Sequence, residues 1–361
     1  LIFLLLLLSL FQPAWQFFRL TGLSGPQAWF GVEMSMMPKD DKNTFNITVD
    51  LPEMAALERT DQLVRQIGEV LRAHPQVKDY QVWLGESGVI DFNSMLRGAG
   101  NKKAAYVAEI RVNLRDKAER SVTSMDVVRE LRPLLMQKAQ AFPGSTLQLV
   151  EDPPGPPVNA TVMAELYGTD QAALHALSAQ VKNEFSQTWD MVEVSQTTPA
   201  DVPQYQLWVD REKAALSGLA SAEIAATLRR AFDGEYLGRA HLDAEKNPVP
   251  IRLLIPRRHQ LDITQLSRIF VTNAQGQRVP LSELVKVQPS LAERPIQRKN
   301  GERVTFVGGE MGSSAPLYAV LDLDRRLDQK PLPDGNRLTT TNLRLQPVRA
   351  DSSDGYTLLW G

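Results

Sequence analysis

The chain has 361 residues, 43% of them hydrophobic and 23% charged, a composition that suits about two to four folded units and excludes a disordered chain. Its 40 Lys+Arg against 42 Asp+Glu leave a net charge of −2, so no excess of basic residues is available to hold a nucleic acid. It has no cysteine, which excludes a disulfide framework and thiolate chemistry.

Leu1 to Phe11 is apolar except for Ser9 and is followed by Gln12-Pro13. Such a run is shorter than the roughly 20 residues that cross a hydrocarbon core. No basic segment precedes it and no small-residue cleavage site follows, so it does not read as a secretory signal. Residues 1–18 are expected to be the end of a transmembrane helix and residues 19–43 a connector.

Phe45, Ile47, Val49 and Leu51 then alternate with polar residues, the period of a half-buried strand. A helix over 61–73 carries Leu63, Val64, Ile67, Val70 and Leu71 on one stripe. The strand over 76–84 points Tyr80, Val82 and Leu84 inward and Trp83 outward. A Gly-containing loop over 85–103 leads to a strand with Tyr106, Ala108, Ile110, Val112 and Leu114. Thr123 and Asp126 read as a capping box for a helix over 123–141, which Pro133 should kink or restart. A strand over 145–151 ends a βαββαβ unit, the order of a ferredoxin-like fold, assigned to 44–152.

The Pro-rich segment 152–157 separates this unit from a second one. There a strand over 160–167, a helix over 170–186 and a strand over 191–196 repeat the first half of the pattern. Thr60-Asp61-Gln62 and Thr169-Asp170-Gln171 stand before the two first helices, which suggests an internal duplication. The second unit, 158–202, is interrupted by 203–293 and expected to resume over 294–361 with a strand at 303–309, a helix at 316–327 and a last extended stretch at 338–349. The interrupting segment opens with Leu207-Trp208-Val209-Asp210-Arg211-Glu212-Lys213-Ala214 and Gly218-Leu219. A helix over 221–232 follows, with Ile224, Ala225, Leu228, Ala231 and Phe232 on one face, and then Val279-Pro280-Leu281-Ser282-Glu283-Leu284. Asn300-Gly301 signals a tight hairpin beyond it.

These strings, in this order and with Met37-Pro38-Lys39-Asp40, Asp50-Leu51-Pro52-Glu53 and Glu58-Arg59-Thr60-Asp61, resemble the large extracytoplasmic loop in the C-terminal half of resistance–nodulation–division (RND) efflux transporters. Met54 stands where that family usually has glycine, and residues 19–35 match no part of the pattern. The resemblance implies an α+β fold of two ferredoxin-like βαββαβ porter subdomains, the second interrupted by an inserted α+β docking subdomain, after a partial N-terminal transmembrane helix. It implies the periplasmic part of a proton-driven pump in a bacterial inner membrane, lining the substrate passage and docking to an outer-membrane channel. The implied partners are further transporter subunits in a homotrimer, a periplasmic adaptor protein, the channel, and small apolar or amphipathic substrates. The family's proton-relay carboxylates and lysine belong to membrane helices outside this sequence, so no residue here is assigned to proton transfer.

The residues offer little else to chemistry. His74, His175, His241 and His259 stand apart without metal-ligand spacing, and neither a G-x-S-x-G nor a P-loop string occurs. Gly308-Gly309 reads as a strand end or bulge. Met34, Met36 and Met37 carry thioethers suited to copper(I), but neighbours in sequence do not converge, and packing is the simpler role. No catalytic residue, cofactor or metal is expected. By the resemblance, the loop with Val89, Phe92, Met95 and Leu96, together with Trp83, borders the substrate passage; the other reading is that these residues pin the loop to its own domain. The alternative function is a membrane-tethered binding or assembly module that works without transport.

Overall fold

A computed structural model describes residues 1–35, 40–88, 102–151, 159–198, 200–256, 259, 262–332, 335–343 and 355–361. Met36, Met37, the segment 152–157, and Val89, Phe92, Met95 and Leu96 lie outside the described residues. The chain divides into two compact units, 1–200 with 294–361, and 201–293.

Helix α1 (Ile2–Trp15) runs into a 3-10 turn over Gln16–Phe18. Its leucines are bare, with Leu4 63% and Leu10 68% exposed. Among the described residues no helix is long and apolar enough to cross a membrane.

β1 (Thr44–Asp50), α2 (Leu57–Ala73), β2 (Val77–Glu86), β3 (Lys103–Leu114), α3 (Ser124–Ala139) and β4 (Thr146–Glu151) build the first sandwich. Its sheet has the order β2-β3-β1-β4, every pair antiparallel. The period of two sends Phe45, Ile47 and Val49 to one face, where Leu63, Ile67 and Leu71 of α2 and Val127, Leu131 and Leu135 of α3 complete a buried core. Tyr80 and Leu84 pack at its margin, whereas Val82, between them on the edge strand β2, is 39% exposed. The capping box forms, with Thr123 N–H donating to Asp126 and Asp126 N–H to Thr123 Oγ1. α3 does not restart at Pro133; it runs through it as one helix.

β5 (Val162–Tyr167), α4 (Gln171–Ser186) and β6 (Met191–Gln196) open the second sandwich. Asp170 caps α4 by accepting from Ala173 N–H, but α2 already begins at Leu57, so Asp61 lies inside it. Thr60 there is buried and donates to the carbonyl of Ala105, so the shared tripeptide does not mark equivalent positions.

The unit 201–293 follows. β7 (Pro203–Val209) leads through the Asp210 cap into α5 (Arg211–Leu216), then α6 (Ser221–Phe232), and the ribbon of β8 (Glu235–Ala240) and β9 (Val249–Leu253). A 3-10 turn (Ile263–Arg268), β10 (Phe270–Thr272), β11 (Arg278–Pro280), α7 (Leu281–Leu284) and β12 (Val285–Leu291) finish it, β12 pairing back onto β7. Ala214, Ile224, Leu266, Leu281 and Leu284 form its core. Ala225, expected on the buried stripe of α6, is exposed: the helix buries Ile224 and Leu228 and presents a narrower face.

The second sandwich resumes with β13 (Arg298–Lys299), β14 (Glu302–Met311), α8 (Pro316–Leu327), β15 (Leu338–Thr340) and β16 (Tyr356–Trp360). Asn300 and Gly301, at φ 54° and 86°, make the two-residue turn between β13 and β14. β14 pairs antiparallel with β5 on one side and β6 on the other, and β16 covers the other flank of β5. The second neighbour of β5 is therefore Tyr356–Trp360. Of the stretch expected at 338–349, Leu338–Thr340 forms only the parallel edge strand, and 344–349 lie outside the described residues. Leu166, Phe185, Leu323 and Leu358 fill the core.

Leu358 is fully buried although it comes from the far end of the chain. Leu358→Ala is expected to cost about 2–5 kcal/mol of stability in urea titration, against at most about 0.5 kcal/mol for Leu343→Ala, which is 41% exposed.

Candidate functional site

Each sandwich covers one face of its sheet with helices and leaves the other face open. On the first sheet, Trp83, Glu109, Thr48 and Gln148 stand in one cross-strand row of the open face. On the second, Met163, Gly308 and Ser195 make a similar row, and Phe306 pairs with Glu165 one step along. The edge strands β4 and β6 abut, and Gln148 Nε2 lies 3.5 Å from Ser195 Oγ. Between the open faces lies a cleft of about 540 Å³, the size of a small-molecule site.

The cleft is amphipathic. Val150, Met163, Ala160 and Phe306 supply apolar surface. Gln148, Asn159, Gln196 and Gln297 supply amides, and Lys102 and Arg298 supply positive charge. Lys102 is held by Asp50 at 2.7 Å. Gln196 Oε1 and Gln297 Oε1 are buried with no hydrogen-bond partner among the described residues. Gly308 lies flat against Ala160: an added Cβ would stand 2.8 Å from the Ala160 methyl. Farther along β5, Glu165 is buried beneath Lys299 at 2.6 Å and accepts from Tyr167 Oη at 2.7 Å. Burial, and then the Glu165 carboxylate, push the Tyr167 phenol upward. Hydrogen bonding, charge and apolar contact are what this arrangement can offer to a ligand.

Of the residues singled out from sequence, Trp83 is on the open face, in the row of Thr48 and Gln148. It stands two strands from Thr48, roughly 10 Å away, and is not in the cleft wall. Gly88, at the start of the loop, packs on the Trp83 ring and donates to Glu109 at 2.8 Å. Val89, Phe92, Met95 and Leu96 lie outside the described residues, but Lys102, at the far end of that loop, is in the cleft wall. The sequence reading missed Gln148, Met163, Ser195, Arg298 and Phe306, which sit on five different strands or strand ends. A signal existed: β5 reads Val-Met-Ala-Glu-Leu-Tyr, with large side chains on both faces, as strands covered on both sides do. Met34 is 46% exposed, and the described residues hold no group of three or more His, Cys, Asp or Glu able to bind a metal.

The sequence model of the AcrB/AcrD/AcrF family matches residues 23–356. Multidrug resistance protein MdtC of Yersinia enterocolitica is 23% identical over 275 residues, which cover 75% of this chain and 25% of that protein. MdtC of Yersinia pseudotuberculosis is 25% identical over 228 residues, 62% of this chain and 21% of the relative. The chain thus spans about a quarter of the length of the curated relatives it matches. In fold it is similar to a crystal structure of a heavy metal efflux pump, with a TM-score of 0.66 at 16% identity over 91% of this chain and 31% of the other.

One ion pair joins the sandwiches beside the cleft. Arg132 of α3 meets Glu193 of β6 at 2.9 Å, and the Glu193 side chain is wholly buried. Glu193 has φ 54°, a left-handed conformation that costs about 1–3 kcal/mol, at the bulge where β6 slips against Gly308 and Glu310. Burial raises its pKa, Arg132 and the Leu149 N–H oppose the rise, and Glu310 adds to it. The net shift is upward, so the folded chain binds this proton more tightly than the unfolded chain. That contribution to stability is full below the ordinary glutamate pKa and is lost as pH rises through the raised one. Arg132→Ala, which leaves a buried charge alone, is expected to cost about 3–5 kcal/mol in urea titration at pH 7, and Glu193→Gln in that background to recover most of it. In a titration across the same pH window, the Glu193→Gln single variant should lack the decline seen in the wild type.

Proposed function

The chain belongs to the AcrB/AcrD/AcrF family of RND efflux transporters, and on that footing we propose that it forms the periplasmic part of a proton-driven pump of a bacterial inner membrane. The cleft between the open faces of the two sheets is the substrate passage. The observation that carries this reading is an amphipathic cavity of about 540 Å³ walled by two separately packed sandwiches, which can part without breaking either core. Widening would also bring water or a ligand donor to Gln196 Oε1 and Gln297 Oε1, each now lacking a partner among the described residues at a cost of about 1–3 kcal/mol. Val89, Phe92, Met95 and Leu96 border the passage, a reading supported by Lys102 in the cleft wall at the end of their loop, and Trp83, outside that wall, stands on its approach along the same open face.

The sandwiches are the porter subdomains and unit 201–293 is the docking subdomain. Its β8–β9 ribbon exposes Tyr236, Leu237, Ile251 and Leu253, apolar surface that suits contact with other subunits of a homotrimer, an adaptor or an outer-membrane channel. The bare leucines of α1 suit the end of a membrane helix. The cargo is a small apolar or amphipathic molecule, in keeping with the mixed lining.

Drug susceptibility and uptake in cells expressing the full-length gene test this. One lost apolar contact is worth about 1–3 kcal/mol, so Phe92→Ala, Met95→Ala and Phe306→Ala are each expected to raise the half-saturating substrate concentration about tenfold. Unaltered export by all three would refute the passage.

A further inference from the structure

No string of the sequence placed residues 19–35, although the family match reaches back to residue 23, and among the described residues this stretch holds a heavily bonded side chain. Arg19 is 1% exposed at its side chain and pairs with Glu33 at 2.6 Å. It also donates to the Gln16 Oε1, Leu23 and Gly25 oxygens, and its guanidinium lies 4.3 Å from the ring centroid of Tyr318. The other oxygen of Glu33 accepts from Ala315 N–H at 2.6 Å, at the start of α8. Tyr318 Oη receives Met34 N–H, and Phe17 packs edge-on against the Tyr318 ring. Tyr318 itself is 1% exposed, so this is a built junction and not a surface touch.

Chain order makes the connection unexpected. The connector leads from α1 into β1 of the first sandwich, but Phe17, Arg19, Glu33 and Met34 contact Tyr318 or Ala315 at the start of α8 in the second. At Asp41 the chain is pinned to the first sandwich, where Asp41 accepts from Ser124 N–H at the start of α3 and from Arg120, whose side chain is fully buried. The positive end of each helix thus holds one acid of the connector together with a buried arginine: the two donors take different oxygens of Glu33 and share Oδ1 of Asp41.

We propose that Arg19 and Glu33 are positioning residues for transport: through Tyr318 and Ala315 they tie the end of α1 to α8, so that displacement of α1 moves the second wall of the cleft. This rests on the export reading, and the test separates the two. In the full-length transporter in nanodiscs, nitroxide labels on Ser9→Cys with Arg325→Cys, and on Ser9→Cys with Gln137→Cys, report distances from α1 to α8 and to α3. The α1–α8 distribution is expected to be the narrower, and Glu33→Gln to broaden it to the width of the other. Glu33→Gln should also lower turnover about tenfold at unchanged KM, a coupling of ordinary size. If Glu33→Gln does not assemble, Tyr318→Phe removes the hydroxyl that receives Met34 N–H and serves in its place. Equal widths in the wild type, no broadening in the variant, or broadening with unchanged turnover each overturn the proposal. A wild type that exports nothing sinks the export reading, while the label distances still decide the tie.

Discussion

The second sheet cannot form from its first segment alone. β5 and β6 do not pair with each other; β14 lies between them, and β16 holds the other side of β5. Backbone groups of β5 therefore stay unpaired until residues beyond 293 arrive, and an unpaired buried strand is not a stable state. Everything between must fit inside that wait. The unit 201–293 does so because β7 and β12 pair along their length and Ala292 N–H donates to the Val202 carbonyl, so the chain leaves the unit beside the point where it entered. An insertion with adjacent ends disturbs its host little.

Buried charge marks the junctions between these pieces. Arg132 with Glu193 joins the sandwiches, Arg19 with Glu33 joins the connector to α8, and Arg120 with Asp41 joins it to the first sandwich. The apolar cores contain none of these pairs. A desolvated pair stabilises weakly but fixes geometry, since either partner alone is costly and neither can slide. Such fasteners suit pieces that must keep a register while the faces between them remain free.

Regular periodicity was the most readable part of the fold. The alternation of Phe45, Ile47 and Val49, the stripe of Leu63, Val64, Ile67 and Leu71, and the Thr123–Asp126 box all lie in elements of the expected kind. The errors arose where position depends on partners distant in sequence. β16 beside β5, the exposure of Val82 on an edge strand and the inner position of Asp61 in α2 are set by the sheet and not by the local string. The cleft was less legible still, because Thr48, Gln148, Met163 and Phe306 become neighbours only when two sheets face each other. Arg19 looked like an ordinary connector residue, and no local pattern reveals that Glu33 and Tyr318 will enclose it.

The account stands on the cleft having to change width for the chain to work. Residues 1–361 hold no cysteine, so in a full-length transporter freed of cysteine elsewhere Thr48→Cys and Met163→Cys, one on each wall, can be joined by a short cleavable bismaleimide. Export should stop when the link forms and return when it is cleaved. Full export with the two walls joined would contradict it.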